Sequence, residues 1–152
     1  MAATVDATGF GQLPWDQALR RWAASYRDTF AAHPGTIAML AAEPVTDPAV
    51  QAQYERAITA LQDAGFPAQT ALAVITATES FVLGSALDLA APPVMVARID
   101  TAATPRLADA AAATPSGRAR ADDAFEVGLD ALITELRSQL GQAASRRAGA
   151  HG

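Results

Sequence analysis

Large apolar side chains recur every three or four residues over most of this sequence, and that spacing constrains the fold more than any other feature. Residues repeated at this interval share one face of a helix, whereas a half-buried strand alternates every second residue. No strand-like alternation of any length is present. Alanine, the strongest helix former, supplies 39 of the 152 residues. The sequence therefore predicts an all-α fold, and its two clearest apolar stripes are Trp15, Leu19, Trp22, Tyr26 and Phe30, and Phe125, Leu129, Leu132, Leu136 and Leu140.

Proline and glycine separate the predicted helices in the first half of the chain. The first helix is expected to begin at Pro14 and to end at residues 33–35, and a short helix follows. Asp47, which precedes a proline, predicts the N-cap of the next helix. Gly65 predicts the C-cap of that helix, with Phe66 placed for the apolar contact that accompanies such caps.

Two long helices are predicted in the second half. The first runs from Pro67 to Ala91, and the last from near Arg118 to Leu140. The Ala-, Pro- and Thr-rich residues 92–117 between them predict a mobile connection with a short helix at 105–113. We expect one helical domain over residues 14–140, with disordered segments at 1–13 and 141–152.

Composition excludes several classes of function. The chain has no Cys and only two His, so disulfides and thiol nucleophiles are excluded and a metal site is not expected. A net charge of -5 argues against a protein that binds nucleic acid by itself, because phosphate binding needs a basic surface. A nucleophile elbow, a phosphate loop and an HExxH motif are all missing, so neither an enzyme nor a cofactor is predicted.

The longest predicted helix is apolar on several sides. Glu79 lies near its middle and Asp88 near its end, so we expect a buried helix of a cytoplasmic protein rather than a membrane span. The N-terminus has neither the basic nor the apolar region of a signal peptide. A helix that is apolar on several sides is buried on several sides, and sharing it with a second copy of the chain is one way to achieve this.

Two glycines lie inside predicted helices, Gly84 in the longest and Gly128 in the last. Each costs about 1 kcal/mol relative to Ala. One interpretation is close helix–helix approach, which predicts a four-helix bundle across a two-fold axis. The alternative is an exposed position under no packing constraint.

Three segments, in order, resemble a known family. They read WDQALRRWAASYRDTFAAHPG, LQDAGFPAQTALAVITATESFVLGSALD and FEVGLDALITEL, and the central one carries F-x-x-G-x-x-x-D from Phe81 through Gly84 to Asp88. Together they are similar to the C-terminal helical domain of TetR-type transcriptional regulators, closest to the tetracycline-repressor branch. The resemblance covers roughly residues 14–140.

The resemblance implies a small-molecule effector site and a homodimer. In such regulators the effector changes the spacing of two helix-turn-helix domains and releases DNA, so a repressor is the expected role. Asp88 would reach into the pocket of the partner subunit. The implied ligand-binding residues are Trp22, Tyr26, Met39, Gln53, Tyr54, Ala57, Leu72, Ile75, Thr76, Glu79 and Asp88. The implied dimer-interface residues are Phe81, Gly84, Ser85, Phe125, Gly128 and Leu132.

The sequence departs from the family pattern in two places. Only residues 1–13 precede Pro14, so the helix-turn-helix segment is absent. The chain is either a fragment or a stand-alone domain, and its start favours truncation or a mis-assigned start site. Tetracycline-responsive members hold a drug-bound magnesium ion through a His on the short helix, where this chain has Met39. We therefore expect no metal and a more lipophilic, aromatic effector beside Trp22 and Tyr26.

Glu79 is the most informative single candidate. A carboxylate among apolar residues must find a cation, a hydrogen-bond donor, water or a proton. A ligand would supply one of these, and a salt bridge with Arg21 or Arg56 is the alternative. The apolar candidates could equally be ordinary core residues, and His33 is expected to hydrogen-bond locally. For the whole chain, the alternative function is a ligand-free helical module that dimerises and modulates a full-length regulator.

Overall fold

The computed structural model describes residues 5–150, apart from the side chain of Ala41, and contains six α-helices and no strand within that range. The predicted all-α class is confirmed. A 3₁₀ turn at Pro34–Thr36 precedes the short helix. The helices are α1 (Trp15–Ala31), α2 (Ile37–Ala42), α3 (Pro48–Asp63), α4 (Ala68–Ala90), α5 (Pro105–Ala113) and α6 (Gly117–Gly149).

The turn between α3 and α4 follows directly from its sequence. Gly65 has φ +114°, a left-handed conformation that costs glycine little. Its N–H donates to the Gln62 carbonyl at 2.9 Å, and the Phe66 N–H donates to the Leu61 carbonyl at 3.1 Å. This pair of hydrogen bonds satisfies the last carbonyls of α3. Phe66 is thereby buried edge-on against Trp15, with ring centroids 5.3 Å apart.

Two other local features agree with the expected boundaries. The Asp47 carboxylate accepts a hydrogen bond from the Ala49 N–H at 2.8 Å and so caps α3. Helix α5 occupies the predicted residues 105–113 within the connection between α4 and α6. A hydrogen bond from the Gly117 N–H to the Pro93 carbonyl, 2.8 Å long, joins the two ends of that connection.

Helix α4 lies at the centre of the fold and packs against α1, α3 and α6. The largest side chains with almost no exposed surface come from these four helices, so a single core joins them. They are Leu19 from α1, Leu61 from α3, Ile75 from α4, and Leu129 and Ile133 from α6.

Arginine–carboxylate pairs join α1 to α6. We call this set of contacts the α1–α6 seam. Both helices provide charged side chains to it, along most of the length of α1. The pairs are Arg20 with Glu126 and Asp130, Arg27 with Asp122, Asp28 with Arg118, and Asp16 with Arg137.

Arg27 is the one member of the seam that is buried, at 4 % exposure. Its Nη1 donates to Asp122 at 2.6 Å, and the guanidinium lies 4.6 Å from the centroid of the Phe125 ring. Its Nε and Nη2 atoms have no hydrogen-bond partner in the described residues. Loss of the Asp122 carboxylate would leave this buried charge uncompensated, which is strongly destabilising.

Helices α4 and α6 approach closely at Gly128. The Phe81 ring stacks on Phe125 with centroids 5.7 Å apart, and a Cβ added at Gly128 would lie 2.6 Å from Phe81 Cζ. Close approach therefore explains Gly128, and the contact is within one chain. Phe125 is buried in its own subunit, so it lies off the surface on which it was expected. Gly84 faces open space instead.

The N-terminal segment differs from the expectation of disorder. Residues 5–13 form turns that pack on α1, and Phe10 is buried with its ring edge-on to Trp22 at 6.2 Å. The Asp6 carboxylate pairs with Arg21 at 2.7 Å. One aromatic side chain and one ion pair thus hold a segment that has no helical periodicity. Residues 1–4 lie outside the described part of the chain.

Helix α6 extends beyond its predicted end. It continues through Gly141 to Gly149, so the described part of the expected tail is helical. A Cβ at Gly141 would meet nothing within 4 Å, and the neighbouring Ala, Gln and Arg residues favour helix enough to offset one glycine. Residues 151–152 lie outside the described range.

Candidate functional site

A cavity of about 540 Å³ lies between α1, α3 and α4. Apolar side chains from the segment before α1, from α2 and from the loop that follows it complete the wall. Seven of the eleven candidate ligand residues line it: Trp22, Tyr26, Gln53, Tyr54, Ala57, Thr76 and Glu79.

Two further candidates on α4 do not line the cavity. Ile75 has no exposed surface and belongs to the core, because it points about 100° away from Thr76 around the helix. Leu72 lies one turn before Thr76, on nearly the same side of α4. It is not among the residues that line the cavity and is 53 % exposed.

The remaining two candidates lie elsewhere. Met39 is 72 % exposed and lines a second cavity of about 670 Å³, which shares Phe30 and Val45 with the first. Asp88 forms two hydrogen bonds with Arg120 of the same chain, at 2.7 and 3.1 Å. That pairing engages the carboxylate that was expected to reach a partner subunit.

Several lining residues were not among the candidates. Ser80 and Leu83 follow Thr76 and Glu79 by one helical turn, so the spacing on α4 contained the signal that identifies them. Phe30 belongs to the aromatic stripe of α1. Other lining residues, such as Val45, come from loops, where no periodicity marks them.

Aromatic rings form the α1 side of the cavity. Trp22 and Tyr26 pack edge-to-face with centroids 5.2 Å apart, and Tyr26 and Phe30 lie 4.8 Å apart with an angle of 31° between their planes. Because these residues are three or four positions apart on one helix, the apolar stripe itself produces this aromatic wall.

Glu79 is held by a phenol rather than by an arginine. The Tyr54 hydroxyl donates to Glu79 Oε1, and within residues 5–150 the carboxylate forms no ion pair. Arg21, one of the two expected partners, pairs with Asp6 instead. Burial and then the neighbouring Glu79 raise the pKa of both Tyr54 and Tyr26. Both hydroxyls therefore remain protonated at neutral pH.

The described residues contain no group of three His, Asp or Glu side chains that could hold a metal ion. The polar groups that line the cavity are two phenols, a carboxylate, an amide and two hydroxyls: Tyr26, Tyr54, Glu79, Gln53, Thr76 and Ser80. The cavity is thus a largely apolar chamber with a few hydrogen-bonding groups, the usual make-up of a small-molecule site.

The sequence matches the family described as "Tetracyclin repressor-like, C-terminal domain" over residues 10–140. The chain belongs to this family. The match includes every element that lines the cavity from α1 onward, together with α4 and α6 as far as Leu140, and it confirms the resemblance. No curated protein matches the chain.

The outer faces of α4 and α6 leave apolar surface uncovered. Helix α4 is the one helix in residues 5–150 that is long and apolar enough to cross a membrane, and only 33 % of that stretch is buried. Core helices pass the same test, so it is weak evidence for a membrane span. We define the α4–α6 face by exposed residues of the two helices: Ala77, Gly84, Leu87, Val127 and Ala131.

Proposed function

We propose that this chain is the effector-binding and dimerisation domain of a TetR-family transcriptional repressor. Family membership provides the class of protein, and the cavity between α1, α3 and α4 is the observation on which the effector role rests. DNA would be bound through a helix-turn-helix domain of the regulator. The protein would act in the cytoplasm, where its operator lies.

The lining of the cavity favours binding over catalysis. No His lines it in the described residues, and its carboxylate, Glu79, accepts a hydrogen bond from the Tyr54 phenol. Burial and then the hydrogen bond to Glu79 raise the pKa of the Tyr54 phenol, which makes it a weak nucleophile. The aromatic wall and a volume of about 540 Å³ instead suit a drug-sized lipophilic molecule.

Thermal unfolding with a panel of lipophilic compounds tests the effector role. A ligand that binds only the folded state raises Tm by mass action. The Thr76→Trp variant, which fills the cavity from an exposed position, should lose that rise. Thr59→Trp, on the exposed side of α3 and off the lining, should retain it. Failure of every compound to raise the wild-type Tm would favour the ligand-free interaction module instead.

The α4–α6 face supports the second half of the proposal. Leu87 is 48 % exposed and Val127 72 % exposed, and a Cβ at Gly84 would meet nothing within 4 Å. Small residues between larger apolar ones allow two helices to approach closely. We infer that a second copy covers this face and completes a four-helix bundle, with Gly84, Ser85 and Leu132 at the contact.

Sedimentation tests the dimer. The wild type should have twice the 15.7 kDa mass of one chain at micromolar concentration. Val127→Glu should dissociate it, because a charge would be buried at the centre of the interface. Val94→Glu, the same change at an exposed residue of the α4–α5 connection, should leave the dimer intact. A monomeric wild type would contradict this part of the proposal.

A further inference from the structure

In the described part of the chain, the cavity between α1, α3 and α4 is lined by one charged side chain, and it is negative. Glu79 is the only charged residue among the described lining residues. The adjoining cavity, which shares Phe30 among other residues with the first, is lined by Glu43 and Asp47. No Arg lines either cavity within residues 5–150. With one carboxylate and no Arg among its described lining residues, the first cavity favours a positive charge on a ligand over a negative one.

The carboxylates on the other side of α1 are neutralised in a different way. Asp16 pairs with Arg137, and Asp28 with Arg118. Glu79 has the phenols of Tyr54 and Tyr26 as hydrogen-bond partners, and neither phenol carries a charge. The half-buried carboxylate therefore has no counter-charge inside a chamber with apolar walls, where a positive charge on a ligand would be favoured.

The aromatic wall favours the same ligand charge. The rings of Trp22, Tyr26 and Phe30 border the chamber that Glu79 enters from α4. Ring faces carry partial negative charge and attract cations within about 6 Å. An anionic effector would be repelled by the carboxylate, whereas an organic cation would be attracted by the carboxylate and by the ring faces that it reaches.

We infer, on the basis of the proposed effector role, that the effector is a lipophilic organic cation whose positive centre lies beside the Glu79 carboxylate, at the aromatic wall formed by Trp22 and Tyr26. Its apolar groups would fill the space beside Val50 and Leu83. Gln53 and Thr76 provide hydrogen-bonding groups at the same wall.

Calorimetric titration with three phenyl compounds tests this inference. Tetraphenylphosphonium and tetraphenylborate have the same shape and opposite charges, and triphenylphosphine oxide is neutral. The phosphonium should bind the wild type at least about tenfold more tightly than the borate. Glu79→Gln keeps the shape of the side chain and should weaken phosphonium binding by about tenfold, while binding of the oxide is unchanged. Glu55→Gln, an exposed position on α3 away from the lining, is the matched control.

The outcomes separate the two proposals. If the oxide binds while Glu79→Gln leaves phosphonium affinity unchanged, or if the borate binds as tightly as the phosphonium, the cation inference is wrong and the effector role stands. If none of the three compounds binds and the lipophilic panel leaves Tm unchanged, both fail. Should Glu79→Gln fold poorly, the wild type still decides, because added salt should weaken binding of the phosphonium and not of the oxide.

Discussion

Helix α1 has two faces that use charge in opposite ways. Toward α6 it forms the seam, where each of its acidic or basic side chains meets a partner of the opposite sign. Toward α3 and α4 it presents the rings of Trp22, Tyr26 and Phe30 to a cavity whose carboxylate, Glu79, has no arginine. The two faces belong to the same helix, whose diameter with side chains is about 10 Å.

The difference shows which side of the fold is complete within one chain. At the seam, side chains fill the space and the charges largely cancel. At the cavity, space remains open and a negative charge remains in it, which are the features expected of a surface that awaits a ligand. The comparison predicts that mutations at the seam mainly reduce stability, whereas mutations at the cavity mainly alter binding.

The largest effect on stability is expected where the seam is buried. Asp122→Ala would leave the Arg27 guanidinium buried without its carboxylate and should reduce the free energy of unfolding by about 2 kcal/mol. Asp130→Ala removes an exposed partner of Arg20 and should cost about 0.5 kcal/mol. Urea unfolding at a fixed chain concentration measures both. Equal losses in the two variants would show that burial does not distinguish Arg27 from the rest of the seam.

The Gly128 contact should rank next. Gly128→Ala would drive a methyl group into the Phe81 ring, which its stack on Phe125 restrains, and should cost about 1–2 kcal/mol. The matched control is Gly141→Ala, where the added methyl meets nothing within 4 Å and helix propensity improves by up to about 1 kcal/mol. Urea unfolding at one fixed chain concentration should therefore give opposite signs for the two substitutions. A stabilising Gly128→Ala would contradict the close approach of α4 and α6.

On the cavity side, loss of the phenol should cost less. Tyr54→Phe removes the donor to Glu79 and should reduce the free energy of unfolding by about 1 kcal/mol, since water can reach a half-buried carboxylate. A double-mutant cycle with Glu79→Gln measures the coupling between the two side chains. A coupling energy near zero would show that the hydrogen bond contributes nothing to the cavity wall.

The smallest effects are expected from pH, which should affect the ion pairs of α1 at low pH and the cavity side at high pH. Hydrogen bonds from Thr8 and then Arg21 lower the pKa of Asp6 from 3.8 to about 2, and Arg137 lowers the pKa of Asp16. Depressed pKa values stabilise the fold above the ordinary value, so this contribution is lost as pH falls below about 4. Unfolding by urea near pH 3 should show a smaller acid-dependent loss in Asp6→Asn than in the wild type.

At high pH the cavity side is affected instead. The pKa values of Tyr26 and Tyr54 are raised, so their contribution is complete below the ordinary value of about 10 and is lost as pH rises above it. Tyr54→Phe should therefore show a smaller loss of stability between about pH 10 and pH 11 than the wild type. An identical alkaline loss in both proteins would indicate that the fold does not raise the pKa of Tyr54.

Local chemistry explains which parts of the fold could be predicted from sequence. Asp47 and Gly65 specify helix ends through hydrogen bonds to residues only a few positions away, so their roles are visible in a short segment. The seam is different. Arg27 and Asp122 are 95 positions apart, and periodicity says nothing about which arginine meets which carboxylate.

The candidate site also combines residues that local sequence predicts with residues that it does not. Residues on the regular faces of α1, α3 and α4 could be named from the family resemblance and helical spacing, whereas Val5 and Val45 come from irregular segments. The partner of Glu79 was expected to be a ligand or an arginine. Tyr54 takes that place because the rotation of α3 about its axis, which is set by tertiary packing, directs its phenol at α4.

The claim that one face of α1 lines a ligand cavity is tested most directly by the fluorescence of its two tryptophans. Trp22 lines the cavity, whereas Trp15 packs on Phe66 away from it. In Trp15→Phe, whose only tryptophan is Trp22, saturating tetraphenylphosphonium should change the emission intensity. In Trp22→Phe, which retains Trp15, the same titration should leave emission unchanged. A change confined to Trp15, or none in either variant, would contradict the assignment of this face of α1 to a ligand.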